Sequence, residues 1–449
     1  MDFDFEGFGN FNVQSENLEV RKTKKFDRLF RIKGGGSVST IPLVHKGVAY
    51  FGATDGIFYA VDISSGKEVW RIKTDGLFME SFPTLHGNTI VFGTYDCNVY
   101  AIDVSERKIK WKCKTGGKII SSPCVHEDFV YIGSQDGFAY SIDINTGQIK
   151  WRFNTGDWVV SYPNVSCGKV YFGSFNGFMF AIDAETGHEV WRFKTGAEIY
   201  NATQFLIREG KIYVPSLDNH LYILNSETGS EIKRIRLGKY GPACSPVYHD
   251  GVLYQETRDG DLYALTPDGQ ELWRFRTSEI IGVIIPFKDR IYFGSADNNF
   301  YCVDKSGNEL WRFRTQGYAW YITMHEGLFY LGSWDCHLYC VDMEGNEIWR
   351  FATSTPQPAE IPPAFEGWEA EIKKSVQEAE TIADESRYSS LAESLNLSEY
   401  GAKSEYVTKS EYTNKSEYTT DMVIFNGAIE WISTLKDSGT LAFSSKILK

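Results

Sequence analysis

Four carboxylates raise the question of chemistry in this chain: Glu80, Asp157, Glu198 and Glu279. Each lies a few residues beyond a recurring Trp-Arg-type segment, in short stretches that also carry Met79, Trp158, Tyr200, Tyr240, Tyr318 and Trp320. Acids among aromatic faces suit a cation or a basic peptide, since the carboxylate pairs with the charge and the ring quadrupole attracts it. Solvated loop ends are the plainer account of the same four acids. A second set of variable positions, Tyr95, Gln135, Phe175, Leu217, Arg258 and Trp334, falls in turns between strands. Phe175 and Trp334, exposed there, would mark a contact rim, shared with Tyr95, on the side opposite the first set. Cys336-His337-x-x-Cys340 has zinc-ligand residue types. On a strand, however, the two cysteines share one face and the histidine points to the other, so no metal site is assigned. Phosphate loops, nucleophile elbows and zinc-protease helices are absent, and neither catalytic residues nor a cofactor are assigned.

The elements that must position these residues are repeats. Glu68-Val69-Trp70-Arg71 returns as Ile109-Lys110-Trp111-Lys112, Ile149-Lys150-Trp151-Arg152 and Glu189-Val190-Trp191-Arg192. It continues as Glu231-Ile232-Lys233-Arg234, Glu271-Leu272-Trp273-Arg274, Glu309-Leu310-Trp311-Arg312 and Glu347-Ile348-Trp349-Arg350. The spacings are 41, 40, 40, 42, 40, 38 and 38 residues. A period near 40 with short strands and Gly/Asp turns predicts a β-propeller, here all-β with eight four-stranded blades. In the first repeat, strands are expected at 39–44, 48–52, 57–62 and 68–73, with Asp55-Gly56 and Ser65-Gly66 as turns. Each tryptophan is expected to pack across onto a neighbouring blade. The Asp that ends each third strand, such as Asp62 or Asp103, is expected to accept from backbone N–H groups of the following turn. Blade five reads as the irregular one, with Lys233 in the tryptophan position and Pro215 where only an edge or bulge fits. The loops after each tryptophan strand lead to the innermost strand and so should line an axial funnel.

Length and charge narrow the class. The chain has 449 residues and a net charge of -13, which disfavours holding nucleic acid or an anionic membrane. Its start lacks the pattern of a secretory signal, and no stretch reaches the length of a membrane-spanning helix. Eight scattered cysteines read as free thiols in a reducing compartment, and the protein as cytoplasmic. Residues 1–28 form an acidic, aromatic arm and 29–353 the propeller. A Pro-rich linker covers 354–365 and a helical segment 366–396. Residues 397–449 hold a Ser-Glu-Tyr hexapeptide repeat and a β segment. Leu29-Phe30-Arg31-Ile32-Lys33 half-matches the outer strand Val69–Lys73, so it either adds an edge strand or competes for one. The apolar run 422–432 and the hexapeptide repeat together suggest strand addition to a partner or to a second copy.

Gly133-Ser134-Gln135-Asp136-Gly137 through Asn145-Thr146-Gly147 and Trp151 is the cleanest copy of the repeat. It resembles the pyrroloquinoline-quinone-like (PQQ-like) repeat family, over residues 30 to 353. That resemblance implies a propeller, similar to the non-catalytic branch that includes the outer-membrane assembly lipoprotein. The quinoprotein dehydrogenases of the same family often carry a vicinal cysteine pair that this chain lacks, and no metal or quinone site is carried over. The expected function is a non-enzymatic interaction scaffold or sensor in a protein complex. The alternatives are a quinone- or metal-dependent oxidoreductase using the axial funnel, or a small-ligand-binding regulatory propeller.

Overall fold

A computed structural model describes residues 36–201 and 203–353, together with the backbone of strands Tyr418–Phe425, Ala428–Leu435 and Leu441–Lys446. The chain divides into two compact units, Ile32–Pro362 and Met1–Arg31 with Pro363–Lys449. The first contains eight four-stranded antiparallel sheets, each built from four consecutive strands in chain order. Blade 1 is β1 (Leu43–His45), β2 (Val48–Gly52), β3 (Ile57–Asp62) and β4 (Glu68–Lys73). Blades 2 to 8 span 84–114, 124–154, 164–194, 207–236, 247–276, 281–314 and 319–352. This is an eight-bladed propeller, with no helix among the described residues.

The hydrophobic core lies between the blades. Side chains alternate along a strand, so Ala49, Phe51, Tyr59 and Val61 pack with Tyr330, Leu338 and Cys340 of blade 8. Their neighbours Tyr50, Phe58 and Ala60 pack with Phe92, Tyr100 and Ile102 of blade 2. The same two-sided pattern gives one cluster at each of the other six junctions. Second and third strands therefore read as continuous apolar runs, because both of their faces are covered.

The outer strand has a different task. In every blade its register shifts by one residue just before the tryptophan position, as between Ala60 and Val61 in blade 1. Such a bulge twists an exposed edge away from further pairing. The tryptophan then lies over a turn of the next blade. A Cβ on Gly147 would come within 2.7 Å of the Trp111 ring, and Gly187 and Gly345 meet Trp151 and Trp311 in the same way. The indole N–H completes the junction: Trp111 Nε1 donates to Ile144 O at 2.8 Å and Trp191 Nε1 to Ser226 O at 3.0 Å. In blade 5 the Lys233 ammonium makes the equivalent bond to Asp268 O at 2.5 Å, while Ile235 covers Gly269. Ring closure uses the same parts, since Trp349 covers Gly66 and donates to Ile63 O at 2.9 Å. Thr353 Oγ1 donates to Gly36 O, matching the bond from Thr74 Oγ1 to Gly76 O inside the chain.

The repeated acids are structural. Asp62 Oδ1 accepts from the Ser65 N–H at 2.9 Å, and Asp103, Asp143 and Asp183 cap their turns likewise. The earlier acid, Asp55, accepts from Tyr59 Oη at 2.6 Å, and the Arg71 guanidinium lies 5.1 Å over that ring. Asp96–Tyr100 and Asp335–Tyr339 repeat this bond. Blade 4 has Asn176 and Phe180 there, so the acid and the hydroxyl are lost together.

Pro215 occupies an interior strand, Lys211–Ser216, but its inner neighbour is only Ile207–Arg208 and pairs no further than Ile212. The proline therefore sits where the strand is locally an edge. Gly294 shows how closely blades approach: a Cβ there would lie 1.6 Å from the backbone oxygen of Ala319. Gly294→Ala should destabilise the propeller by roughly 1–3 kcal/mol in urea unfolding, because backbone cannot step aside cheaply.

In the second unit, the three C-terminal strands form an antiparallel sheet in chain order, with Tyr418 paired to Leu435 and Ile429 to Lys446. The expected arm (1–28), the segment Leu29–Lys33, the linker, the helical segment and the hexapeptide repeat up to residue 417 lie outside the described residues.

Candidate functional site

The segments leading into each first strand line the axis and are stitched to one another. Ser81 Oγ accepts from the Gly93 N–H at 2.7 Å and donates to Ser121 O at 2.9 Å. Ser121 Oγ repeats this with Gly133 N at 3.1 Å and Ser161 O at 2.7 Å. Asn201 continues the belt, accepting from Tyr162 N at 2.9 Å and, through Oδ1, from Ser245 N at 2.8 Å. At Ser81 and Ser121 one small hydroxyl serves both the glycine of its own blade and a carbonyl of the next.

Blade 2 departs from the pattern by one residue. Six steps separate Thr115 from Ser121 and Thr195 from Asn201, but seven separate Thr74 from Ser81. The extra length is taken up by Glu80 at φ 59°, in the left-handed region. Its side chain turns inward and is 5% exposed. The carboxylate accepts from the Tyr200 hydroxyl of blade 5 and adjoins the Tyr321 hydroxyl of blade 8. Burial raises the Glu80 pKa to about 7, against the lowering pull of the two tyrosines. Phe82 packs edge-on to Tyr321 at 5.8 Å, and Thr84 Oγ1 lies 3.5 Å from the Tyr162 hydroxyl. At this level the axis is filled with side chains. Glu80 and the 7%-exposed Met79 therefore belong to a plug, and do not join Asp157, Glu198 and Glu279 in an open funnel.

The other predicted residues lie on the lead-in loops of their own blades. Asp157, Glu198 and Glu279 are half-buried, as are Trp158, Tyr240 and Tyr318. The turn set, expected on the opposite rim, is on the same side, because each turn is hydrogen-bonded to the lead-in loop of its own blade. The N–H groups of Tyr95, Phe175, Leu217 and Trp334 donate to Leu77, Trp158, Glu198 and Tyr318 oxygens at 3.1, 2.9, 3.0 and 3.1 Å. The exposure expected of Trp334 and Phe175 is also corrected: Trp334 is 7% exposed and Phe175 half-buried, and Tyr95 beside them is 8% exposed. Packing explains this. Trp158, Phe175 and Tyr200 form one aromatic chain, with centroids 5.7 and 6.3 Å apart. A second chain joins Trp334 to Tyr318 at 5.2 Å, Tyr318 to Trp320 at 6.3 Å and Trp320 to Tyr321 at 6.2 Å. Trp320 abuts Gly282 of blade 7 with the Cδ1 edge of its indole, where any Cβ would displace it. Both chains end inward at the tyrosines that hold Glu80.

A family model described as outer membrane protein assembly factor BamB matches residues 19–152, 114–243 and 238–361. The chain belongs to this family of PQQ-like repeat propellers. Among solved structures, BamB from Moraxella catarrhalis superposes with a TM-score of 0.58 at 19% identity, covering 66% of this chain and 91% of that one. The computationally designed Ika8 protein gives 0.61 at 17% identity, covering 69% and 98%. No curated protein matches the chain.

One functional-looking cluster of this BamB-family propeller escaped the sequence reading. In blade 6, Glu256 stands where six blades have glycine and blade 5 has Pro215. The buried carboxylate accepts from the N–H groups of Ala243, at 3.2 Å, and Cys244. Burial raises its pKa to about 7. Arg258, two residues on, is pushed down to about 10 by desolvation and donates through Nε to Tyr240 O at 2.8 Å. The signal was available as an acid in the glycine column. It makes blade 6 the polar departure at the axis, while blade 5 departs at its outer strand. At the predicted non-site, His337 Nδ1 lies 2.9 Å from Asp335 O and Cys340 is buried in the junction of blades 8 and 1. Among the described residues no three His, Cys, Asp or Glu side chains converge as metal ligands.

Proposed function

We propose that the chain is an interaction scaffold whose axial mouth docks a basic segment of a protein partner. The gathering of Asp157, Glu198 and Glu279 with two aromatic chains on one face carries this reading, because acid and ring faces attract the same cationic side chains. Loops that differ from blade to blade, held on a repeated frame, are where such scaffolds bind. The family description as an assembly factor is consistent with work inside a protein complex. Self-association through residues 397–449 is a further part of the proposal.

The test is co-purification from the native host, followed by binding measurements on whatever partner is recovered. Glu198→Lys with Glu279→Lys should weaken that partner at least tenfold and reduce its salt sensitivity. Retention of full affinity by the double variant would remove the mouth as the docking face.

A further inference from the structure

We propose that Glu80, Tyr200 and Tyr321 form a proton-controlled clasp across the propeller axis. The three side chains come from blades 2, 5 and 8, so the contact ties together parts of the ring that share no blade junction. Its geometry is built rather than incidental. The lead-in loop of blade 2 carries one residue more than those of blades 3, 4 and 5, and the added length turns Glu80 to positive φ. The corresponding position in blades 3 and 4 holds Ile120 and Val160, which ask for no partner.

The surroundings decide what a charge would do here. The Glu80 backbone is fixed on both sides, its N–H donating to Ser39 O at 3.0 Å and its oxygen accepting from Ser122 Oγ at 3.0 Å. The groups acting on its carboxyl are the Tyr200 and Tyr321 hydroxyls, and no Lys, Arg or His is among them. Behind Tyr200 lies Cys244, and behind Tyr321 lie Trp334 and Tyr95. Protonated, the carboxyl can donate to one tyrosine oxygen while accepting from the other, and the clasp is neutral and closed. Ionised, it is a buried anion with hydroxyl donors but no cation, which favours admitting water. Burial already holds its titration near neutrality. Opening would free the inner ends of both aromatic chains, since Tyr200 packs on Phe175 and Tyr321 on Trp320. The clasp does not depend on the mouth docking a partner.

Hydrogen exchange of the full chain between pH 5.5 and 8.5, corrected for intrinsic rates, tests it. Amides of 78–82 and 199–201 should lose protection at least tenfold between pH 6 and pH 8, relative to the second strand of blade 3, Phe129–Gly133. Glu80→Gln should abolish that transition. Tyr200→Phe should move its midpoint to higher pH, because the anion loses a donor; a merely structural contact would lower protection at every pH without moving the midpoint. Glu256→Gln should leave it in place. A flat wild-type profile, a transition surviving in Glu80→Gln, an unmoved midpoint in Tyr200→Phe, or loss of the transition in Glu256→Gln would each overturn the clasp.

Discussion

Trp349→Ala should open the propeller at a single seam, at a cost of about 4 kcal/mol. Seven of the eight junctions join blades that are consecutive in the chain, and the eighth, between blades 8 and 1, is held by non-covalent contacts alone among the described residues. Trp349 is central to it. The ring covers Gly66, packs on Tyr330 with centroids 6.0 Å apart, and donates its N–H to Ile63 O at 2.9 Å. Truncation removes the apolar contact and leaves a turn carbonyl short of its donor. The informative control is Trp111→Ala, which deletes the equivalent contacts between blades 2 and 3, including the bond to Ile144 O. Urea unfolding should show comparable losses for the two. Hydrogen exchange should separate them, with Trp349→Ala exposing β2, β3 and the two middle strands of blade 8, and Trp111→Ala exposing a much smaller region. Identical exchange patterns would mean that the chain ends are tied by something other than this junction.

What the sequence disclosed and what it hid divide along physical lines. Tryptophan spacing predicted eight blades because every blade must cover the same turn of its neighbour, and a repeated steric demand leaves a repeated residue. Asp62 and its equivalents were legible for the same reason, since an Asx-type cap depends only on residues two or three away. The mouth was legible as a set of residues but not as a surface. Lead-in loops and turns were assigned to opposite rims, although the hydrogen bond from Phe175 N to Trp158 O joins residues on different elements that no local pattern connects. Glu80 shows the same limit more sharply. Its partners lie 120 and 241 positions away in the chain, and only the extra residue before Ser81 hinted that its side chain would turn inward. Trp334 looked exposed because a turn residue usually is, and it is buried because a second aromatic chain happens to end there.

Glu256→Gln should raise stability by about 2–3 kcal/mol at pH 8 and change it little at pH 4.5. Burial raises the carboxyl to about 7 in the fold, above its ordinary value of 4.5, so the native state holds a proton that the unfolded chain releases between these limits. Stability from this group is therefore fully present below about 4.5 and is lost as pH rises through 7. Glutamine keeps the oxygen that accepts from Ala243 and Cys244, and it removes the charge. The nearby Arg258 cation favours the ionised form and so opposes the rise that burial imposes. Two other groups bend the wild-type curve the same way. Glu80 also titrates near 7, and His337 is raised by its bond to Asp335, so its contribution likewise fades as pH rises. The turn acids Asp62, Asp103 and Asp183 are lowered by their own hydrogen bonds and act in the opposite sense, withdrawing stability only as pH falls through their range. Wild-type stability should accordingly peak on the acid side of neutrality. The difference between wild type and Glu256→Gln in urea, measured across pH 4.5 to 8.5, isolates the one carboxyl from the rest. A difference that is constant with pH would show that Glu256 is ionised throughout, with Arg258 and the two backbone donors sufficient to hold its charge inside the ring.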